Sequence, residues 1–270
     1  KFKLLGTVVT PVSCAFEKGN FDFKQKDFSQ IIKSLFKKSN IIPENVFVCC
    51  DLPGLVLKEI SLPLMESENI PEALTYEIEK HSPYDIDDIV SGYVEQSIQI
   101  DDSKKVLWVA APQEYFEKFL NILKINNIKI KSAGLYPIAV SNYYSYINRD
   151  FLTESILLLD LNYLGKVVIN IIDKGDLRFS KNTKVSLLGA LEDADSWKII
   201  YEEIEDALEY FETAQNGKKP LKLRLHNNPG LSKETKHLLY EKIQMDFVEI
   251  KHVVEPEYIV PLGLAMNAFN

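Results

Sequence analysis

Apolar positions recur along the chain in two rhythms, a helical one and an alternating one, and the two take turns. Between about Asp27 and Lys38, the residues Phe28, Ile31, Ile32, Leu35 and Phe36 fall on one stripe, which predicts a first amphipathic helix. Before it, Lys1–Ser13 reads as extended and Phe21–Phe23 is too short to assign. Val46–Cys50 reads as a strand, Leu52-Pro53-Gly54 turns the chain, and Val56–Leu62 alternates as a second strand. Pro71 and Glu72 open a helix with Ile70, Ala73, Leu74 and Ile78 on its apolar stripe, and Ser82-Pro83 stops it. Strands are expected at Ile89–Ile100 and Lys105–Ala111. A helix follows from Pro112 to Asn126-Asn127 with Phe116, Phe119, Leu120 and Leu123 on one face, and then a strand over Ile128–Ser132.

The rhythm then restarts. A helix near Pro137–Arg149 leads into the apolar run Ile156–Asp160, and Lys166–Ile172 and Asp176–Lys181 continue a meander around Lys174-Gly175. A long helix over Ser196–Ala214 buries Trp197, Ile200, Ile204, Leu208 and Phe211, while Glu202, Glu203, Glu205, Asp206, Glu209 and Glu212 form a solvated outer face. Leu221–Leu225 is a strand, Ser232–Ile243 a helix with Ser232 as N-cap, Phe247–Ile250 a last strand, and Gly263–Met266 a closing helix. Two similar halves, residues 1–150 and 151–270, make a mixed α/β (α+β) chain rather than a simple doubly wound one.

Composition narrows the function classes. With 270 residues, 46% of them hydrophobic, the chain buries a core of one large or two medium domains. A net charge of −8 lacks the basic footprint of a nucleic-acid binder. The three cysteines, Cys14, Cys49 and Cys50, do not form a disulfide framework and read as small buried apolar residues of a cytoplasmic protein. No apolar run reaches the roughly 18 residues of a membrane span and no signal peptide is evident. The chain opens at Lys1 rather than Met, as a trimmed chain would.

The search for catalytic chemistry is largely negative. No phosphate loop, dinucleotide fingerprint, nucleophile elbow or zinc-protease helix occurs. His81, His226, His237 and His252 fall in separate elements without metal-ligand spacing and read as surface or helix-end residues. Asp85-Ile86-Asp87-Asp88 and Asp101-Asp102 lack the glycine-punctuated spacing of a calcium loop and read as solvated turns.

An ordered set of phrases then points to a family. It runs through Asp51-Leu52-Pro53, Ser61-Leu62-Pro63, Glu77-Ile78-Glu79-Lys80-His81-Ser82-Pro83-Tyr84, Val106-Leu107-Trp108-Val109-Ala110-Ala111-Pro112 and Ala133-Gly134-Leu135-Tyr136-Pro137. It continues through Leu159-Asp160-Leu161-Asn162, Asp176-Leu177-Arg178-Phe179-Ser180, Ala207-Leu208-Glu209-Tyr210-Phe211 and Pro261-Leu262-Gly263-Leu264-Ala265-Met266. In this order the chain resembles the PilM family, the actin-like component of the type IV pilus inner-membrane platform. The cytoplasmic domain of the type II secretion protein GspL, which recruits that system's ATPase, is a close second resemblance.

The resemblance implies an actin-like, ribonuclease H-like fold, with a small subdomain inserted in the first half over about residues 56–130. It implies a cytoplasmic scaffold at the inner membrane that captures the tail of a PilN-like membrane protein, with a platform protein or assembly ATPase as further partners. The tail's groove is expected between the insertion and the first half, with Ile60, Leu62, Leu74, Ile78 and Tyr84 as anchors. Against the family's nucleotide motifs the chain departs. The second phosphate hairpin, normally Asp-Ile-Gly, reads Asp160-Leu161-Asn162-Tyr163-Leu164-Gly165-Lys166, so that Asn162 places a side chain where close backbone approach is needed. The adenosine turn reads His226-Asn227-Asn228-Pro229-Gly230 without Gly-Gly, the first hairpin is expected before Lys1, and the stretch from Ser180 to Trp197 is short. Asp160, Asn162, Gly165, Lys166, Asn227 and Asn228 therefore read as a vestigial site. The expectation is a non-enzyme with no cofactor and no metal, the alternative being a divergent ATPase using ATP and magnesium.

Overall fold

A computed structural model describes residues 15–17, 20–22, 25–40, 46–50, 52, 54–100, 102–162, 166–186, 194–226, 233–247, 250, 254–255 and 258–267. Lys1–Ser13, the extended segment of the sequence reading, lies outside them. So do Cys14 and the side chain of Cys50, whereas Cys49 is half-buried rather than enclosed.

The first half opens with a short antiparallel hairpin, β1 (Ala15–Glu17) with β2 (Asn20–Asp22), followed by helix α1 (Gln25–Ser39). Strand β3 (Val46–Cys50) runs parallel to β7 (Ile130–Leu135), pairing Phe47 with Ser132 and Cys50 with Leu135. Strand β7 sits later in the chain than the expected Ile128–Ser132, because Asn126, Asn127 and Ile128 donate back to the helix end and hold the chain in a turn.

Between β3 and β7 the chain detours through β4 (Val56–Pro63), α2 (Ile70–His81), β5 (Ile89–Ile100), β6 (Ser103–Pro112) and α3 (Gln113–Ile125). The strands form an antiparallel sheet in the order β4-β6-β5. Ile60, Leu62, Ile70, Leu74, Ile78, Val106 and the fully buried Trp108 make its core with α2. Helix α3 is not part of that core. Its Ile122 and Leu123 pack with Ile32 and Ile128, beside Phe36, Val46, Val48 and Ile130. Its Phe116 and Phe119 pack beside Ala111 of β6, so α3 links the insertion sheet to α1 and β3.

The second half follows α4 (Tyr136–Ile147) and the single turn α5 (Asp150–Thr153). Strands β8 (Ser155–Asn162), β9 (Lys166–Asp173) and β10 (Asp176–Ser186) form an antiparallel meander. After α6 (Ala194–Thr213), β11 (Lys222–His226) lies parallel to β8. After α7 (Lys233–Ile243), the short β12 (Asp246–Phe247) lies parallel to β11. The sheet order is β10-β9-β8-β11-β12. Alternation divides each strand between two layers. Leu157, Leu159 and Leu161 face the core under α6 and α7, while Ile156 and Leu158 face the core built with α4 and the last helix, α8 (Ile259–Asn267). Gly263 of α8 lies so close to the Ala139 carbonyl of α4 that an added Cβ would overlap it. Helices α4 and α8 therefore form the seam between the halves.

Candidate functional site

Asp160 sits near the carboxyl end of β8, in register with His226 at the end of β11 and with Val168 on β9. Crevices beyond the carboxyl ends of parallel strands are where open α/β sheets bind ligands. Here the carboxylate is enclosed. Its side chain is 0% exposed, Tyr136 at the start of α4 donates to Oδ2 at 2.6 Å, and His226 Nε2 lies 3.9 Å from Oδ1. On the other side of the ring, His226 Nδ1 lies 2.6 Å from Tyr144 Oη, and the Tyr144 ring stacks on Phe151. Burial, then the charge of Asp160, then Tyr143 push the Tyr144 phenol above its usual range, so it stays protonated. Tyr136, Asp160, His226 and Tyr144 thus form one polar chain across the seam.

The histidine of this chain departs from the sequence expectation: His226 is fully buried, not a surface residue. His237 is exposed beside Glu241, while His252 and the side chain of His81 lie outside the described residues. Strands β8 and β9 close as a hairpin, with Asn162 opposite Lys166. Nothing is described of those two side chains, and Gly165, Asn227 and Asn228 fall outside the described residues. Among the six nucleotide-site candidates, then, the structure describes the side chain of Asp160 alone. The missed members were Tyr136, Tyr144 and His226. The available signal was positional: His226 ends a strand parallel to β8, and Tyr136 opens the helix that caps the sheet.

A second feature lies between the insertion and the first half. An apolar groove of about 170 Å³ opens between Val90–Gly92 of β5 and Val109–Ala111 of β6 on one wall and Ala133–Leu135 of β7 on the other. Leu52, Leu55 and Phe116 complete its lining. Glycines face it from both walls. At Gly92 an added Cβ meets nothing within 4 Å, so that wall is open, whereas Gly134 is filled from behind by Leu264. Among the described residues, β5 forms its ladder with β6 and β7 its ladder with β3. The five expected anchors are not where the groove is. Ile60, Leu62, Leu74 and Ile78 are at most 7% exposed and form the insertion's own core, where Ile60 and Leu62 of β4 meet Leu74 and Ile78 of α2. Tyr84 is exposed, with its hydroxyl over the Gly54 turn that precedes Leu55.

The second-half sheet, a three-strand meander continued by two parallel strands, is the ribonuclease H-like arrangement, and the chain pairs it with a first half carrying an insertion. The solved structure of a PilM-PilN type IV pilus biogenesis complex is similar over 97% of this chain and 90% of that chain, with a TM-score of 0.75 and 16% identity. The fold is actin-like. The cytoplasmic domain of EpsL, an inner-membrane component of the type II secretion system of Vibrio cholerae, has the same fold at a TM-score of 0.52 and 13% identity, over 91% of this chain and 80% of that one. A Bacteroides thetaiotaomicron protein with an actin-like ATPase fold and unknown function aligns at a TM-score of 0.46 and 12% identity, over 88% of this chain and 80% of that one. No family model and no curated protein matches the sequence. The structural similarity shows the fold, and identities this low leave function to the site. No described helix is long and apolar enough to cross a membrane.

Proposed function

We propose that this chain is a non-catalytic scaffold of a type IV pilus or related secretion platform, peripheral to the inner membrane on the cytoplasmic side. On this reading it holds the cytoplasmic tail of a PilN-like membrane protein in the groove between β5 and β7. The groove is the observation that carries the reading: it is apolar, lies between the insertion sheet and β7, and is open at Gly92. An extended tail would add main-chain hydrogen bonds at an edge and seat alternate apolar side chains in the lining. The similarity to a structure containing both PilM and PilN supports a PilN-like occupant.

The non-catalytic half of the reading rests on Asp160. A nucleotide-bound metal needs carboxylate oxygens presented to the cleft, but this carboxylate is fully buried, taken by Tyr136 and faced by His226. Asp160, so enclosed, does not fit a metal–nucleotide complex, and no hydrolytic step is derived from it.

Calorimetry with a synthetic peptide of a PilN-like tail tests the first half. Gly92→Leu fills open space, so it should preserve the melting temperature while weakening the peptide by at least about tenfold, roughly 1.4 kcal/mol. Equal affinity for both proteins, or no heat from the wild type, would overturn the groove reading. Titration with ATP and magnesium should give nothing tighter than about millimolar. Micromolar binding with turnover lost in Asp160→Ala would restore the enzyme.

A further inference from the structure

The two walls of the groove belong to different bodies, so something must fix one against the other. Strand β7 belongs to the first half, whereas β5 and β6 belong to the insertion, whose sheet is pinned at its far end to the second half. Arg178 of β10 makes a two-pronged contact with Glu59 of β4, donating from Nε to Oε2 and from Nη2 to Oε1 at 2.8 Å. The two side chains are 0% and 2% exposed. Arg178 also lies 3.3 Å from Asp173, donates to the Gln215 carbonyl at 3.1 Å, and stands over the Phe211 ring. Gln215 donates back to the Arg178 carbonyl at 3.1 Å, which fixes the strand as well as the side chain. From the other edge of the insertion sheet, Gln96 donates to the Leu177 carbonyl at 2.8 Å, and Asp176 accepts from the amides of Ser97 and Ile98 at 2.7 and 3.1 Å. Both outer strands of the sheet are therefore held by consecutive residues of β10.

A buried ion pair is a poor source of net stability, because desolvation offsets the attraction and apolar replacements are often neutral. Its bidentate geometry, by contrast, fixes direction closely. We propose that the Glu59–Arg178 pair is a positioning latch: Arg178, acting through Glu59, sets the tilt of the insertion sheet on the second half and hence the width of the groove. A shift of the β9–β10 hairpin is thereby transmitted to the wall formed by β5 and β6. This rests on the proposed function only for the use made of the groove. The width itself is a property of the chain alone.

The test measures that width without a tail. Spin labels placed at Ser91 of β5 and Ser132 of β7, exposed residues of the two wall strands, report their separation by pulsed dipolar spectroscopy in the whole chain. Glu59→Leu combined with Arg178→Met removes both charges at once and should keep a cooperative thermal transition. The latch requires a longer or broader distance distribution in this variant and an intermediate one in Glu59→Gln. A pair that merely stabilised would move the melting temperature and leave the distribution at its wild-type position, and that result overturns the proposal. If the double variant does not fold, Glu59→Gln decides by the same criterion. Adding the tail peptide separates the two readings: a widened groove with unchanged tail affinity would keep the latch and remove the groove as the tail's site.

Discussion

Tyr136 and Asp160 meet across the boundary between a helix that leaves the first half and a strand that opens the second, and burial decides what each can be. A carboxylate at 0% exposure needs hydrogen-bond partners to remain buried, and Tyr136 supplies one at 2.6 Å. Removing that hydroxyl with Tyr136→Phe leaves the oxygen without it while preserving the ring's packing. The expected loss is about 1–3 kcal/mol of unfolding free energy, the range for a hydrogen bond to a buried polar or charged group, read from urea denaturation. An Asp160 held in reserve for a metal would gain nothing from the tyrosine, and unchanged stability would say so. His226 extends the same logic. If Tyr144 donates to Nδ1, the ring hydrogen lies on Nε2, on the side facing Asp160.

At the scale of elements, helices α4 and α8 are in close contact at their seam, and one glycine permits it. Gly263 approaches the Ala139 carbonyl within the space of a methyl group, with Tyr143 Cβ at 3.2 Å from the same position. Gly263→Ala must therefore push the helices apart, at a cost of about 1–3 kcal/mol or more. A melting temperature equal to wild type would show that the helices slide freely. The sequence made most of these elements readable, because their periodicities are clean: α2, β5, β6 and α6 fall within a few residues of expectation. Periodicity says which residues are apolar but not which neighbour they face. Ile60, Leu62, Leu74 and Ile78, the anchors expected from the resemblance, meet one another around Trp108. For the same reason α3 reads as part of the insertion, whereas its Ile122 and Leu123 pack with α1 and β3 and its Phe116 and Phe119 pack beside Ala111 of β6. The polar chain at Asp160 was legible only in its carboxylate. Tyr136 and His226 are far apart in sequence and are joined by the parallel pairing of β11 with β8, which no local pattern encodes.

For the molecule as a whole, the contacts between insertion and second half should make stability depend on pH in a way that exposes their physics. Burial raises the pKa of Asp176 above its ordinary 3.8, and the neighbouring charge of Asp173 adds to the rise. The amides of Ser97 and Ile98 and the charge of Arg178 pull it down without cancelling the effect of burial. A raised carboxyl pKa means that the folded chain binds more protons than the unfolded one between the two values. Asp176 therefore contributes stability that is fully present below the unfolded pKa and lost as the pH climbs through the folded one. Asp176→Asn keeps an oxygen to accept the two amides and removes the half-buried charge. Relative to wild type, this variant should gain melting temperature steadily as the pH rises from the ordinary aspartate range toward neutrality, with little difference at the acid end. Subtracting the two melting curves pH by pH cancels the other titrating groups, so the sign of the slope is the observable. A slope of the opposite sign would mean that the amides and Arg178 outweigh burial, making the insertion's hold on the second half strongest with the carboxylate ionised.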